Sequence, residues 1–295
     1  MKRFFLFILF LIYLCNFTYA DRGSIPFKPH IRVFEPTQRA MIAWNGKEEI
    51  LLLSTDMSAS GETQVLEVLP LPSEPVVKKG DVEVFRKATV LINEKLKEQA
   101  AKNLGANNVR TQSKGRPAGE VTFHEKIGAH DILVTHVINS SGFIEWVERY
   151  LRKAEVENPI IPQIMKDSIS EYLKEGFSWF VFDVILLNEV PKTNEAIQYR
   201  FATDVLFYPL KISRTNEGET SVELLILTRR LLGNFSGLPV KRVNLPHEPV
   251  DITSVELCNL NEEMDDLLGH QETMKLRIWE IRGQLSLFDK DLIAQ

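Results

Sequence analysis

The chain is poor in the residues that build covalent and metal-held frameworks. Cys15 and Cys258 are its only cysteines among 295 residues, and Cys15 falls in a segment expected to be cleaved. Cys258 would then stand alone, which excludes an intramolecular disulfide and any paired-cysteine metal site. A mature chain of about 275 residues can bury a large core without such a staple. Also missing are a Gly-x-Ser-x-Gly elbow, a phosphate-binding Gly-x-x-x-x-Gly-Lys loop and a His-Glu-x-x-His helix. Triads assembled from distant residues leave no such local mark, so these absences narrow the enzyme classes without excluding an enzyme. Basic charge is not in excess. The formal net charge is −5, and a mildly acidic chain has no electrostatic reason to seek nucleic acid. There is no fixed-period repeat and no low-complexity segment. After residue 20 no apolar run approaches the ~18 residues that span a bilayer.

What is present begins with an export pattern. Lys2 and Arg3 precede Phe4 to Leu14, eleven consecutive apolar residues, and Thr18-Tyr19-Ala20 closes the stretch with a small-x-small pattern. Eleven helical residues rise ~16 Å, about half of a ~30 Å hydrocarbon core. The order charged, apolar, small predicts a cleaved signal peptide over residues 1–20. Cys15 raises lipidation, but it follows Leu14, where a lipoprotein cysteine follows a small residue. Cleavage would leave Asp21 at the mature N-terminus. The formal charge would move from −5 to −7, because the segment carries two basic and no acidic side chains. The expected location is periplasmic or extracellular, as a single mature domain over residues 21–295 without a transmembrane segment.

Along the mature chain, strands over Met41–Trp44 and Glu48–Leu53 flank Asn45-Gly46, a dipeptide suited to a type I′ hairpin turn. Val65–Leu69 reads as a strand running into Pro70-Leu71-Pro72-Ser73-Glu74-Pro75, which favours polyproline-like backbone. Asp81 is positioned to cap a helix with Phe85, Thr89, Ile92 and Leu96 along one face. Asn103 to Gly119, rich in Asn and Gly with Arg110, Lys114 and Arg116 and no acid, is the candidate hinge between two lobes, or a mobile loop. Strands are expected over Val121–His124 and Ile132–Ile138. A helix capped by Ser140 or Ser141 carries Phe143, Trp146, Val147, Tyr150 and Leu151, and Pro162 opens another that Gly176 stops. Phe177–Leu187 is apolar on both parities, as a central strand covered on both faces is. Strands at Phe201–Tyr208 and Val222–Thr228, an acidic helix at Leu260–Leu268 and a last strand at Met274–Ile281 complete the pattern. Strands mostly follow strands while helices cluster. The expected class is α+β, with a largely antiparallel mixed sheet and about four helices.

Three constellations could carry chemistry. His124, His130 and His136 recur every six residues, as a metal-ligand set might. On one extended strand, however, six residues span roughly 20 Å, while zinc ligands lie about 2 Å from the metal. The pair 130/136 therefore cannot share an ion, and a hydrogen-bonded His136 near a core edge is the plainer account. Asp183 and Asp204 each interrupt an apolar strand, and a long hairpin turning near Thr193 would set them face to face as an acid/base pair or cation site. A different register would leave each at a rim, a capping amide or a lysine. Glu262, Glu263, Asp265 and Asp266 lack the twelve-residue calcium-loop spacing and read as a solvated helix face. No metal or other cofactor is expected. Asn139-Ser140-Ser141 and Asn234-Phe235-Ser236 match the glycosylation acceptor pattern.

The opening hairpin Ala40–Leu53, the proline-punctuated strand end Val68–Pro75 and the middle stretches Ile127–Ile132 and Gly142–Val147 resemble one family. Ser170–Gly176 leading into the Phe177 strand and Tyr208–Ser213 continue the likeness. The chain is similar, over most of residues 35–230, to the prokaryotic domain of unknown function numbered 2330, typically found on exported proteins. The resemblance implies location and fold, and it brings no catalytic residue or ligand. Members often carry a cysteine near the mature N-terminus, and Asp21 to Glu35 has none, so any role of that cysteine is not carried over. Two functional readings remain open. One is a soluble extracytoplasmic binding or interaction module for an unknown protein or envelope component. The other is an envelope-associated hydrolase or transferase using Asp183 and Asp204.

Overall fold

The computed structural model describes residues 23–28, 30–104, 130–153, 156, 161–193, 195–216, 218–236 and 242–295. The expected signal peptide, the hinge candidate 103–119 beyond Leu104, the strand expected at Val121–His124 and the basic triplet Arg110, Lys114 and Arg116 lie outside the described residues.

The fold is α+β. Among the described residues the strands are β1 (Gly23–Pro26), β2 (Val33–Trp44), β3 (Glu48–Ala59), β4 (Thr63–Leu71), β5 (Val76–Lys79), β6 (Asp131–His136), β7 (Trp179–Leu187), β8 (Lys192–Thr193), β9 (Ile197–Ala202), β10 (Leu206–Tyr208), β11 (Glu219–Thr228), β12 (Val243–Asn244), β13 (Val250–Ile252), β14 (Met274–Gln284) and β15 (Leu292–Ala294). The helices are α1 (Glu83–Leu104), α2 (Ser140–Lys153), α3 (Gln163–Lys174), α4 (Ser254–Leu260) and α5 (Glu262–Leu268).

Two sheets face each other. The smaller has the order β1-β4-β7-β6 and is antiparallel throughout. The larger runs β12-β14-β11-β2-β3-β9-β5, with β13 added on β14 and β8 on β3; its one parallel pair is β11 with β2. Side chains alternate across a strand, so each sheet has two apolar faces to cover. The inner faces meet in a core that includes Leu69, Leu71 and Val181 from one sheet and Leu51, Leu53, Tyr199 and Leu224 from the other. α2 and α3 cover the outer face of the smaller sheet, and α1, α4 and α5 cover that of the larger.

β7 shows why this works. Phe180 and Phe182 point outward onto α2, where the Phe143 ring lies 5.6 and 5.2 Å from theirs. Val181 and Ile185 point inward. A strand apolar on both parities thus lies between β4 and β6 with both faces covered. Each of these fully buried side chains contributes ~1.5–3 kcal/mol of transfer free energy. α3 starts after Pro162 and ends where Gly176 takes φ +93°, a left-handed position that glycine occupies without a Cβ penalty.

Several local expectations are corrected. The hairpin at Asn45-Gly46 forms, but not as a type I′ turn. Gly46 has φ +97° while Asn45 does not have positive φ; instead the Asn45 Oδ1 accepts the Lys47 and Glu48 N–H groups at 2.9 Å each. The side chain thus replaces a backbone turn. β4 continues through Pro70 to Leu71 instead of ending at Leu69. α2 is capped by Asn139, whose Oδ1 accepts from Gly142 N–H at 2.7 Å, and not by a serine. The strand expected at Phe201–Tyr208 breaks into β9 and β10; the helix expected at Leu260–Leu268 starts at Glu262 as α5, capped by the Asn261 side chain, and α4 before it was not expected. β14 is followed by a further strand, β15, which pairs with β10.

Candidate functional site

Three titratable side chains lie together on the inner face of the smaller sheet. The register of β7 sets Asp183 opposite Glu67 of β4 on one side and Ile132 of β6 on the other. Directly opposed residues on antiparallel strands hold their Cβ atoms ~4.5–5.5 Å apart, so two carboxyl groups stand side by side. His130 continues the alternation of Ile132 and Val134 just before β6 begins, and its Nδ1 is 2.5 Å from Asp183 Oδ2. With the carboxylate as acceptor, Nδ1 carries the proton and Nε2 is the basic nitrogen. The His130 and Asp183 side chains are 6% and 3% exposed, and Glu67 is buried. His130 Nε2 and Asp183 Oδ1 have no hydrogen-bond partner among the described residues. An imidazole oriented by a carboxylate is the arrangement of a general base. Here the basic nitrogen faces the interior.

The pairing of Asp183 with Asp204 is not formed. Asp204 lies exposed on the bend between β9 and β10, and β9 belongs to the larger sheet, between β3 and β5. No hairpin at Thr193 joins β7 to β9: β7 pairs with β4 and β6 instead. The histidine series is likewise dispersed. His130 holds Asp183. His136 is exposed and stacks on Trp179 with ring centroids 4.7 Å apart. His124 lies outside the described residues. Among the described residues no three His, Cys, Asp or Glu side chains gather closely enough to hold a metal ion.

The acidic helix α5 is only partly a solvated face. Asp265 is buried, its Oδ2 accepts from Ser254 Oγ at 2.7 Å, and the same oxygen lies 2.8 Å from His270 Nδ1. The contact with Asp265 raises the His270 pKa above its ordinary 6.5. A hydrolytic triad needs the imidazole between hydroxyl and carboxylate, whereas here both contact the aspartate. The arrangement fastens the start of α4 to the end of α5. Glu263 meets Lys78 at 2.8 Å and Gln198 at 3.2 Å, tying α5 to β5 and β9.

A second buried cluster carried no signal in the sequence. Asp291, in the C-terminal segment before β15, accepts from Tyr172 Oη of α3 at 2.7 Å and from the Lys211 backbone N–H at 2.8 Å, both on Oδ1. Lys211 Nζ lies 2.5 Å from Glu175 Oε2 and 4.3 Å from the centre of the Tyr172 ring. Burial raises the Asp291 carboxyl from its ordinary 3.8 to about 6, against the two hydrogen bonds and the Lys211 charge, which lower it. The Tyr172 phenol is raised well above its ordinary value by burial and by Asp291, so it stays neutral and donates. Glu49 is also fully buried. Its Oε2 accepts from the Phe207 N–H at 2.8 Å, and burial raises its pKa well above the ordinary value.

Among the described residues no helix is long and apolar enough to cross a membrane, which leaves a β-barrel unaddressed. No curated protein matches the chain. Among solved structures, the crystal structure of baculovirus P35 superposes with a TM-score of 0.42 at 10% identity, covering 92% of this chain and 99% of that one. At that level the likeness carries no argument. The sequence pattern of the family described as "Uncharacterized protein conserved in bacteria (DUF2330)" matches residues 20–266. That span is most of the chain, and the protein belongs to this bacterial family.

Proposed function

We propose that the protein is an exported, soluble binding or interaction module that acts through its surface on a protein or other component of the cell envelope. One observation carries the reading. The imidazole–carboxylate pair His130–Asp183, the arrangement nearest to a catalytic one, is buried with both side chains under a tenth exposed. In this arrangement Nε2 is closed to a substrate. The export half rests on the charged, apolar, small order of residues 2–20. The second reading, a hydrolase or transferase with an acidic pair, would draw on Asp183 with Glu67 instead of Asp204, since β7 sets those two opposite each other.

The test uses mature protein and Asp183→Asn in parallel. Each is co-sedimented with peptidoglycan and with envelope vesicles, and each is assayed for hydrolysis of model esters, phosphoesters and glycosides. Saturable co-sedimentation that is equal in both proteins is expected. Turnover that disappears in Asp183→Asn, or no saturable binding to either preparation, would overturn the reading.

A further inference from the structure

On the inner face of the larger sheet an arginine stands where a strand residue would carry its side chain. β14 places Ile281 in the inner core and Gly283 next on the same face, and β11 does the same with Val222 and Thr220. The register sets Thr220 directly opposite Gly283. The Thr220 side chain and the Cβ that Gly283 lacks therefore belong to one face, about 5 Å apart. Arg242, the residue before β12, fills that space. Its Cζ and Cδ lie 3.3 and 3.4 Å from the point where a Cβ would stand, and Nη1 is closer still. A glycine inside a strand often marks such a close approach.

Two hydrogen-bonding groups lack partners here. Arg242 is half-buried, and among the described residues it makes no hydrogen bond or ion pair. Thr220 is 4% exposed, and its Oγ1 has no hydrogen-bond partner among the described residues. Leaving buried polar groups unsatisfied costs free energy. Both groups can donate, the guanidinium through five N–H bonds in a planar fork and the hydroxyl through one O–H. Positively charged donors without an acceptor are complementary to an oxyanion. The acids in this part of the ladder do not supply one. Glu219 and Glu280 alternate to the other face, and Glu280 is held by Arg282 and Asn244. Glu35, at the β2 bulge, has an interaction with another residue.

We propose that Arg242, Thr220 and the notch at Gly283 form a binding site for a small oxyanion, a carboxylate or a phosphate group. The guanidinium takes two of its oxygens side by side, and Thr220 donates to it from the inner face. Gly283 is required because a Cβ there would push the guanidinium out. Arg242, the half-buried member, is the side chain that shifts to admit the anion. The site is independent of the surface-binding reading: a chain that binds no envelope preparation can still carry it.

The test follows the backbone resonances of Thr220 and Gly283 by NMR in the purified chain. Inorganic phosphate or sodium acetate is added at an ionic strength held constant with chloride. Saturable shifts at both residues with at least one anion are expected, and the anion that acts distinguishes a phosphate group from a carboxylate. Arg242→Gln should weaken that binding by about tenfold or more. Thr220→Val, which keeps the shape and removes the hydroxyl, should weaken it roughly fivefold. Gly283→Ala displaces the guanidinium without removing its charge and should weaken binding as Arg242→Gln does; the other two variants give an answer even if this one folds poorly. Saturable shifts with neither anion, or an unchanged Kd in any folded variant of the three, would overturn the proposal.

Discussion

Asp183 faces Glu67 across the β4–β7 ladder while His130, the residue before β6, closes on Asp183 at 2.5 Å. Polar side chains are thereby gathered in the interior between Val181 and Ile185 along β7. A buried hydrogen-bonded pair adds little net stability over well-packed apolar side chains, but removing one partner leaves the other buried group unsatisfied.

His130→Ala should therefore destabilise the fold by about 1–3 kcal/mol. The double variant His130→Leu with Asp183→Leu should cost less than His130→Ala alone. Denaturant midpoints measured as a double-mutant cycle decide this, and purely additive costs would show that the pair is not coupled.

Gly46 has φ +97° and nothing within 4 Å of where a Cβ would sit. Its replacement therefore acts through the backbone alone. Gly46→Val should cost about 1–2 kcal/mol, read as a lowered urea midpoint with an unchanged slope. An unchanged midpoint would show that the hairpin accommodates a β-branched residue there.

Glu49 gives a pH dependence with a definite sign. Its folded pKa is raised by burial, so ionisation favours the unfolded chain, and stability is lost as pH rises above the ordinary value of 4.5. Glu49→Gln keeps an acceptor for the Phe207 N–H and removes the ionisation. The variant should be more stable than wild type at pH 8 and should lose that advantage at pH 4. Parallel pH profiles of the melting temperature would contradict the assignment.

His270 gives a dependence of the same sign in a higher pH range. Asp265 raises its folded pKa, so its contribution is present below 6.5 and lost as pH rises through the folded value. Asp265→Asn should return the His270 midpoint, followed by NMR of the ring protons, towards 6.5. A midpoint that does not move would mean that another group holds the imidazolium.

Local signals in the sequence were followed where a single residue decides the outcome. Pro162 and Gly176 bracket α3, and the two apolar parities of Phe177–Leu187 correspond to a strand covered on both faces. Competition between equally local interactions was harder to read. Asn45 supplies its side-chain oxygen to the turn, and Asn261 caps α5 and so separates it from α4, which ends at Leu260. The site itself depends on pairing between distant strands. Asp183 was identified as unusual, but its neighbour is Glu67 and not Asp204, because β7 and β9 join different sheets. Asp291 lies among charged residues in a short C-terminal segment, and only the return of β15 onto β10 brings it to Tyr172.

The central claim, a surface-binding protein working outside the cytoplasm, is tested most directly by cross-linking in living cells of the source bacterium. A membrane-impermeant reagent is applied and the adducts are analysed by mass spectrometry, including the N-terminal peptide. The account predicts adducts to a specific envelope component on chains that begin at Asp21. Adducts formed only with a membrane-permeant reagent, on chains that still carry Lys2 and Arg3, would contradict it.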